Sequence, residues 1–513
     1  MSPDAPAITL RNAWAIAVLA LLHGLVYFVL LPHWMGEDEP WHLENVILVS
    51  DGYGLPGGYE FKASDRDLAP LSVLQARRRF GHADFETISA VERSILDSMR
   101  DKGYWRRVDW LGRDDSVESF DEVEYAITAA HQPPLYYFVT APLLWLFPHA
   151  EARFQLLLVR FFSLFLFMGV VLCTWYAASR AFPQGPGAML TTLLVAFWPM
   201  SARGAAVVNN DVLTRFWVAL AFAVAAYWLT RPDSASASAE AEVSNESRAQ
   251  AHIGTANPAL LAANSVSHAE VTPGSGANPA RSRALRRWAP AAALVCIAAL
   301  GLFTKTSGAS AAAIVIFAVL LHPSSWKRMR GTALLLLGLG AVIAAAASVW
   351  IASHNPGVTL NLKDLATRLK EGFSAENIAD LRSTLIGRFN WESRPLTPDW
   401  SPAIGLGALI LFALGIAGAL LRRPWLRARL FWLAFGTGAA QLILMAFRGV
   451  SRGRYLMPVA PALALMLVVG LFALLPARWQ RPVAMLFLVA LVTFDGYFVF
   501  HGLGREAWLN WRW

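Results

Sequence analysis

Long apolar runs separated by short polar connections dominate the chain, and the runs are continuous rather than alternating with the two-residue period of a half-buried strand. A helix needs about 20 apolar residues to cross roughly 30 Å of hydrocarbon. Runs at 13–31, 156–180, 184–201, 211–230, 288–304, 307–322, 331–353, 401–421, 428–447, 455–475 and 482–501 predict about eleven crossings. Continuous runs imply helices rather than a barrel, so the predicted fold class is all-α and polytopic. The first run follows a single arginine and is longer than the core of a secretory signal. With no small-residue cleavage pattern behind it, it reads as an uncleaved first helix.

The stretch 134–148 (PLYYFVTAPLLWLFP) is apolar but short, and counting it as a crossing would invert everything downstream. The pair Pro133-Pro134 suits a helix start, and its tyrosines and Trp145 suit the headgroup zone, so an interfacial helix is expected. Residues 33–155 then form a long first outer loop with 21 acidic side chains against 12 basic ones, in which Phe85 to Arg100 has amphipathic spacing. Residues 232–286, rich in Ala, Ser, Asn and Pro without periodicity, predict a flexible cytoplasmic insert. The expected organisation is an N-terminal transmembrane module over 1–231, this insert, and a C-terminal transmembrane module over 287–513. The second module carries an outer segment, 354–400, with Arg382, Arg388, Trp391 and Arg394.

Composition agrees with this pattern. With 56% hydrophobic and 16% charged residues among 513, there are too few polar side chains to cover a water-facing globule of that size. The net charge of +8 does not mark a nucleic-acid binder, because the basic residues are dispersed in short clusters between apolar runs. An N-terminus in the cytoplasm puts Arg180, the cluster Arg281 to Arg287, the cluster Lys327 to Arg330, Arg422 to Arg429, Arg478 and Arg481 all inside, as the positive-inside rule requires. Cys173 and Cys296 lie within apolar segments and support neither a disulfide framework nor a thiolate metal site.

Candidate chemistry gathers on the outer side. After the first helix, GEDEPWHLEN places Glu37, Asp38, Glu39, His42 and Glu44 within one or two turns of the membrane surface. Carboxylates so grouped can deprotonate a hydroxyl or hold a divalent cation, and can equally be solvated helix-capping charges. The segment VVNNDVLTRFW puts Asn209, Asn210 and Asp211 at a helix start, where they fit capping or, with Arg203 upstream, a polar patch. Lys305, in GLFTKTSG, reads either as a lysine reaching the interface or as a point charge for an anionic lipid headgroup. In RGVSRGRYLMP, the residues Arg448, Arg452 and Arg454 fall outside in a chain whose other short loops keep basic residues inside. Guanidinium forks bind phosphate oxygens bidentately, and Gly449 and Gly453 permit close backbone approach; pairing with the acidic first loop is the other reading. Carboxylates facing arginine and lysine suit transfer of a group from a phosphate, because cations stabilise the charge the leaving phosphate gains while a carboxylate takes the acceptor's proton.

Taken in order, DEPWH, HQPPLYY, RFFSLFLFMGVVLCTWYAASRAF, NNDVL, GLFTKTSG and GRYLMPVAPALAL resemble the GT-C superfamily of polyprenyl-phosphate-sugar-dependent glycosyltransferases. Within it, the chain is similar to the branch of protein O-mannosyltransferases and aminoarabinose transferases. The histidine in DEPWH brings it nearer to an uncharacterised bacterial branch, so acceptor identity does not carry over. The resemblance implies a bacterial inner-membrane enzyme that moves a sugar from a polyprenyl phosphate carrier to a lipid, glycan or protein acceptor with inversion. It implies Asp38 as general base with Glu39 beside it, and Lys305, Arg448, Arg452 and Arg454 at the donor phosphate. His42, His131, Arg203, Asn210 and Asp211 are expected to contact substrate. No cofactor or metal is expected, although Glu37-Asp38-Glu39 is compatible with a divalent cation. The rival expectation, a transporter or flippase for an anionic lipid-linked substrate, places charges near the membrane midplane and often shows internal repeats.

Overall fold

The computed structural model describes residues 10–34, 36, 38–53, 85–102, 132–183, 185–231, 279–322, 365–384, 388–389, 394–395, 429–447, 452–473 and 475–503, with scattered helical positions between 403 and 418. Almost everything described is helical. A first helix, α1 (Leu10–Leu30), is followed by α2 (Glu39–Ser50), α3 (Phe85–Asp101) and α4 (Leu135–Leu144). Next come α5 (Ala152–Ala181), α6 (Gly187–Ala196), α7 (Pro199–Ala205), α8 (Asn210–Thr230), α9 (Pro279–Thr304) and α10 (Ala309–Leu321). The remainder comprises α11 (Leu365–Gly372), α12 (Ala375–Thr384), a two-residue antiparallel pair β1 (Arg388–Phe389) and β2 (Arg394–Pro395), then α13 (Arg429–Phe447), α14 (Ala460–Ala473) and α15 (Ala477–Tyr497).

Among the described residues, six helical stretches are long and apolar enough to cross a membrane: Asn12–Leu30, Ala152–Ala181, Asn210–Thr230, Arg429–Ala446, Gly453–Ala473 and Ala477–Phe500. The expected runs at 288–304 and 307–322 correspond to the apolar helices Ala289–Thr304 and Thr306–Leu321, that at 184–201 to the shorter Gly187–Ala196, and those at 331–353 and 401–421 lie outside the described residues or largely so. The run 184–201 is broken because Pro199 opens α7 and Trp198 before it is extended at φ −70° and ψ 116°, as a residue preceding proline prefers. The interfacial reading of 134–148 corresponds to α4, whose ten residues span about 15 Å, half of the hydrocarbon thickness. The amphipathic stretch near 85–100 forms α3, with Ile88, Glu92, Ile95, Leu96 and Met99 on its buried face.

The core is built around α8, which packs on α5, α9 and α10; α1 lies on α5, and α13 joins α10 to α14. Arg429 at the start of α13 donates to the Leu229 carbonyl at 3.2 Å, satisfying an orphan acceptor at the end of α8 where the helix dipole favours a cation. Trp14, Val18, Leu22, Val26 and Val29 form an outward stripe on α1, as do Met485, Leu486, Val489 and Val492 on α15. Exposed apolar faces of this extent suit lipid as the surrounding solvent. One polar clasp ties α15 to the bundle. The His23 Nδ1–H donates to the Ala196 carbonyl at 3.0 Å, His23 Nε2 lies 2.6 Å from Asp495 Oδ2, and the Tyr27 hydroxyl donates to Asp495 Oδ1 at 2.7 Å.

Candidate active site

Local backbone chemistry assembles the site from four chain segments. Asp38 precedes α2 in the left-handed region, at φ 59° and ψ 13°, and its side chain makes no capping hydrogen bond to its own helix. Its Oδ2 instead lies 3.7 Å from Arg454 Nη1, with both side chains largely shielded from solvent. Arg454 belongs to a 3₁₀ segment, Gly453–Val459, and donates from Nη2 to the Tyr455 hydroxyl at 3.0 Å while its guanidinium stands 4.9 Å from that ring's centroid. Gln441 of α13 holds the segment down, donating from Nε2 to the Tyr455 carbonyl at 2.5 Å, and its Oε1 accepts from Ser310.

At the start of α8 the capping and chemical tasks are divided. Asn209 caps the helix, its Oδ1 accepting from the Asp211 backbone N–H at 2.8 Å. Asp211 is left to pair with Lys305, whose Nζ lies 2.7 Å from Oδ1 in a buried setting. Lys305 is placed by the tight 3₁₀ turn Thr306–Gly308, where a Cβ on Gly308 would sit 2.1 Å from the Gly301 carbonyl oxygen. Only glycine permits that approach. Asn210 donates to Gln132 Oε1 at 3.2 Å and to the Thr304 carbonyl at 3.3 Å, joining α8 to the chain before α4 and to the end of α9.

Between α7 and α8 lies a small cleft bounded by Met200, Arg203, Gly204, Val207, Asn209, Asp211, Arg215 and Arg454. Arg203 and Arg215 are buried, and Arg215 donates from Nη1 to the Ser201 carbonyl at 3.3 Å. Lys305, which pairs with Asp211, and Asp38, which meets Arg454, stand next to this lining rather than in it. Three guanidinium groups against the single carboxylate of Asp211 in that lining give the cleft an excess of positive charge.

Glu39 is turned away from that cavity into a buried ion pair. Arg160 of α5 grips it with Nε at 2.7 Å from Oε1 and Nη2 at 2.5 Å from Oε2. His42 is also buried, its Nδ1 2.9 Å from the Tyr137 hydroxyl and its ring stacked on Tyr137, so it serves the packing of α2 on α4 and is not among the cavity-lining residues. Arg452 is exposed and is likewise not among the lining residues. His131, Arg448 and Glu37 lie outside the described residues. Glu44 is buried facing Glu92 of α3, and burial first, then the Glu92 charge, push its carboxyl well above the usual range. Among the described residues no three His, Cys, Asp or Glu side chains group as a metal site would require.

Sequence reasoning passed over Arg160 and Arg215. Each is an ionisable residue within an apolar run, which is costly unless it faces the interior and is paired, and that signal alone marks both.

No family model matches the chain, and no curated protein matches it. Among solved structures it is similar to ArnT from Cupriavidus metallidurans in the apo state, at 15% identity over 94% of this chain and 64% of that one, with a TM-score of 0.43. It is similar to ArnT from the same organism bound to undecaprenyl phosphate, at 13% identity over 98% and 75% of the two chains, with a TM-score of 0.42. It is also similar to the Archaeoglobus fulgidus oligosaccharyltransferase tethered with an acceptor peptide, at 12% identity over 98% of this chain and 55% of that one, with a TM-score of 0.41. At these identities and scores they bear on neither reaction nor substrate.

Proposed function

We propose that this chain is a membrane glycosyltransferase that moves a sugar from a polyprenyl phosphate carrier to a lipid, glycan or protein acceptor on the outer face of a bacterial inner membrane. The observation that carries the reading is the Asp38–Arg454 juxtaposition at 3.7 Å beside the cationic cavity. A carboxylate withheld from capping its own helix stands next to a guanidinium that shares the cavity with Arg203 and Arg215. The order of motifs along the chain supports the same reading.

In this mechanism the donor phosphate lies in the cavity and the acceptor's hydroxyl or amine approaches the anomeric carbon from the Asp38 side. Asp38 takes the acceptor's proton as the new bond to the anomeric carbon forms and the bond to the phosphate oxygen breaks, which inverts the centre. The phosphodiester becomes a monoester and gains about one negative charge, which Arg454, Arg203, Arg215 and Lys305 stabilise more in the transition state than in the bound donor. Asn210 and Asp211 order the cavity wall on which the substrate rests.

The test supplies a panel of radiolabelled polyprenyl-phosphate sugars to membranes containing the wild type, Asp38→Asn or Arg454→Ala. Transfer by the wild type, reduced by about a hundredfold or more in Asp38→Asn at equal protein level, is the expected result for loss of a general base. If the wild type consumes no donor while lipid-linked sugar crosses the bilayer in an Arg454-dependent way, a flippase takes the place of the transferase.

A further inference from the structure

The connection from α1 to α2 carries two non-glycine residues at positive φ, Trp34 at 66° and Asp38 at 59°. Such conformations are costly for residues with a Cβ and persist only where the surroundings over-determine them. For Asp38 the surroundings begin at the next residue. Glu39 has no solvent exposure, and its two oxygens accept from Arg160 Nε, Arg160 Nη2, the Val208 N–H at 2.9 Å and the Gly36 N–H at 3.1 Å. Arg160 also donates from Nη1 to the Leu31 carbonyl and from Nη2 to the Pro32 carbonyl, each at 3.0 Å. One ion pair therefore joins the end of α1, the start of α2, the middle of the bundle through α5, and the strand of chain that leads into Asn209 and Asp211. Gly36 completes the closure, because a Cβ there would meet Glu39 Cδ at 2.8 Å and Val207 Cβ at 2.9 Å.

We infer that the Arg160–Glu39 pair is a positioning device: it holds the Asp38 backbone in its left-handed conformation and so fixes the Asp38 carboxylate beside Arg454. Neither residue touches substrate. The same carboxylate that pins Asp38 also pins Val208, next to the Asn209 cap, so the two walls of the cavity are set from one point. A buried pair with two parallel guanidinium–carboxylate bonds suits this task because that geometry is directional. The inference rests on the reading of Asp38 as the base.

The test uses the full chain in nanodiscs and two readouts. The first is the rate at which a water-soluble carbodiimide modifies Asp38, followed by mass spectrometry, which needs no turnover. The second is the kinetics of sugar transfer from the best donor of the panel. Glu39→Gln and Arg160→Lys each strand a buried group, so the neutral pair Glu39→Gln with Arg160→Gln is included as a variant that leaves no lone charge. The expected result is an altered Asp38 modification rate in every variant that accumulates. The kcat should fall by roughly a hundredfold with donor KM held within about threefold, which is the signature of a lost transition-state arrangement. Added to Asp38→Asn, the neutral pair should cost nothing further, because a positioning residue acts only through the group it positions. An unchanged modification rate, or a loss that multiplies with that of Asp38→Asn, overturns the inference. If the wild type transfers no sugar at all, the proposed function fails separately, and the modification rate alone decides the clasp.

Discussion

Asp38, Asp211 and Glu39 show how three carboxylates near the same surface acquire different work from their partners. Asp211 is relieved of capping by Asn209 and neutralised by Lys305, Glu39 is consumed by Arg160, and Asp38 keeps an accessible edge beside Arg454. Arg215 is placed by a missing side chain: a Cβ on Gly204 would lie 2.5 Å from its Nη1 and 2.6 Å from its Nη2. Gly204→Ala should therefore push the guanidinium out of its place at little cost in stability, since the end of a flexible side chain can move. Loss of one charge-assisted contact of about 1.5–3 kcal/mol predicts at least about a tenfold weaker affinity for the polyprenyl phosphate of the proposed reaction. Titration of the purified protein checks this, and unchanged affinity would remove Arg215 from the phosphate site.

At the scale of elements, the pairing of α2 with α3 and α4 carries the side chains that face away from the cavity. His42 and Tyr137 lock α2 to α4, and Glu44 of α2 faces Glu92 of α3. Glu44 holds its proton to higher pH when folded than when unfolded, because burial and the Glu92 charge oppose ionisation. The stability supported by that proton is full below the unfolded carboxyl value of about 4.3 and is lost as pH rises through the folded value. Glu44→Gln should accordingly match the wild type near the lower limit and exceed it increasingly as pH is raised. Thermal unfolding in detergent across that range measures the effect, and curves that stay parallel would rule it out. The apolar run of α4 and the amphipathic spacing of α3 were legible in the sequence, whereas α2 was not predicted as a helix. The break between α6 and α7 was not legible either, because Trp198 and Pro199 interrupt a run whose average hydropathy stays high.

At the scale of the whole molecule, the six long apolar helices among the described residues and the outward apolar stripes on α1 and α15 suit a lipid surrounding. The distribution of arginine and lysine predicts which end faces the cytoplasm. In that orientation Ser244→Cys, in the insert, should react with an impermeant maleimide only after the membrane is opened, and Ser64→Cys, in the first loop, should react in intact spheroplasts. Both are made in a chain with Cys173 and Cys296 replaced. The reverse pattern would invert the topology and move the proposed site to the cytoplasmic face. The clasp of His23, Tyr27 and Asp495 joins α1 to α15 over most of the chain's length, so the first and last long helices are held together by polar contacts rather than by apolar packing alone.

The sequence by itself determined the solvent and the kind of element, because helix length, apolar continuity and charge bias act locally and need no partner to be read. It also brought forward Asp38, Asp211, Lys305 and Arg454 as polar residues at the ends of apolar runs. Tertiary structure alone decided which of these meet, since Asp38 and Arg454 are separated by most of the chain and come within 3.7 Å only through folding. It decided, too, that Glu39 belongs to Arg160 and His42 to Tyr137. A carboxylate or imidazole looks alike in sequence whether it will face a cavity or a buried partner, because its role is set by the groups that desolvate it, and those arrive from distant segments.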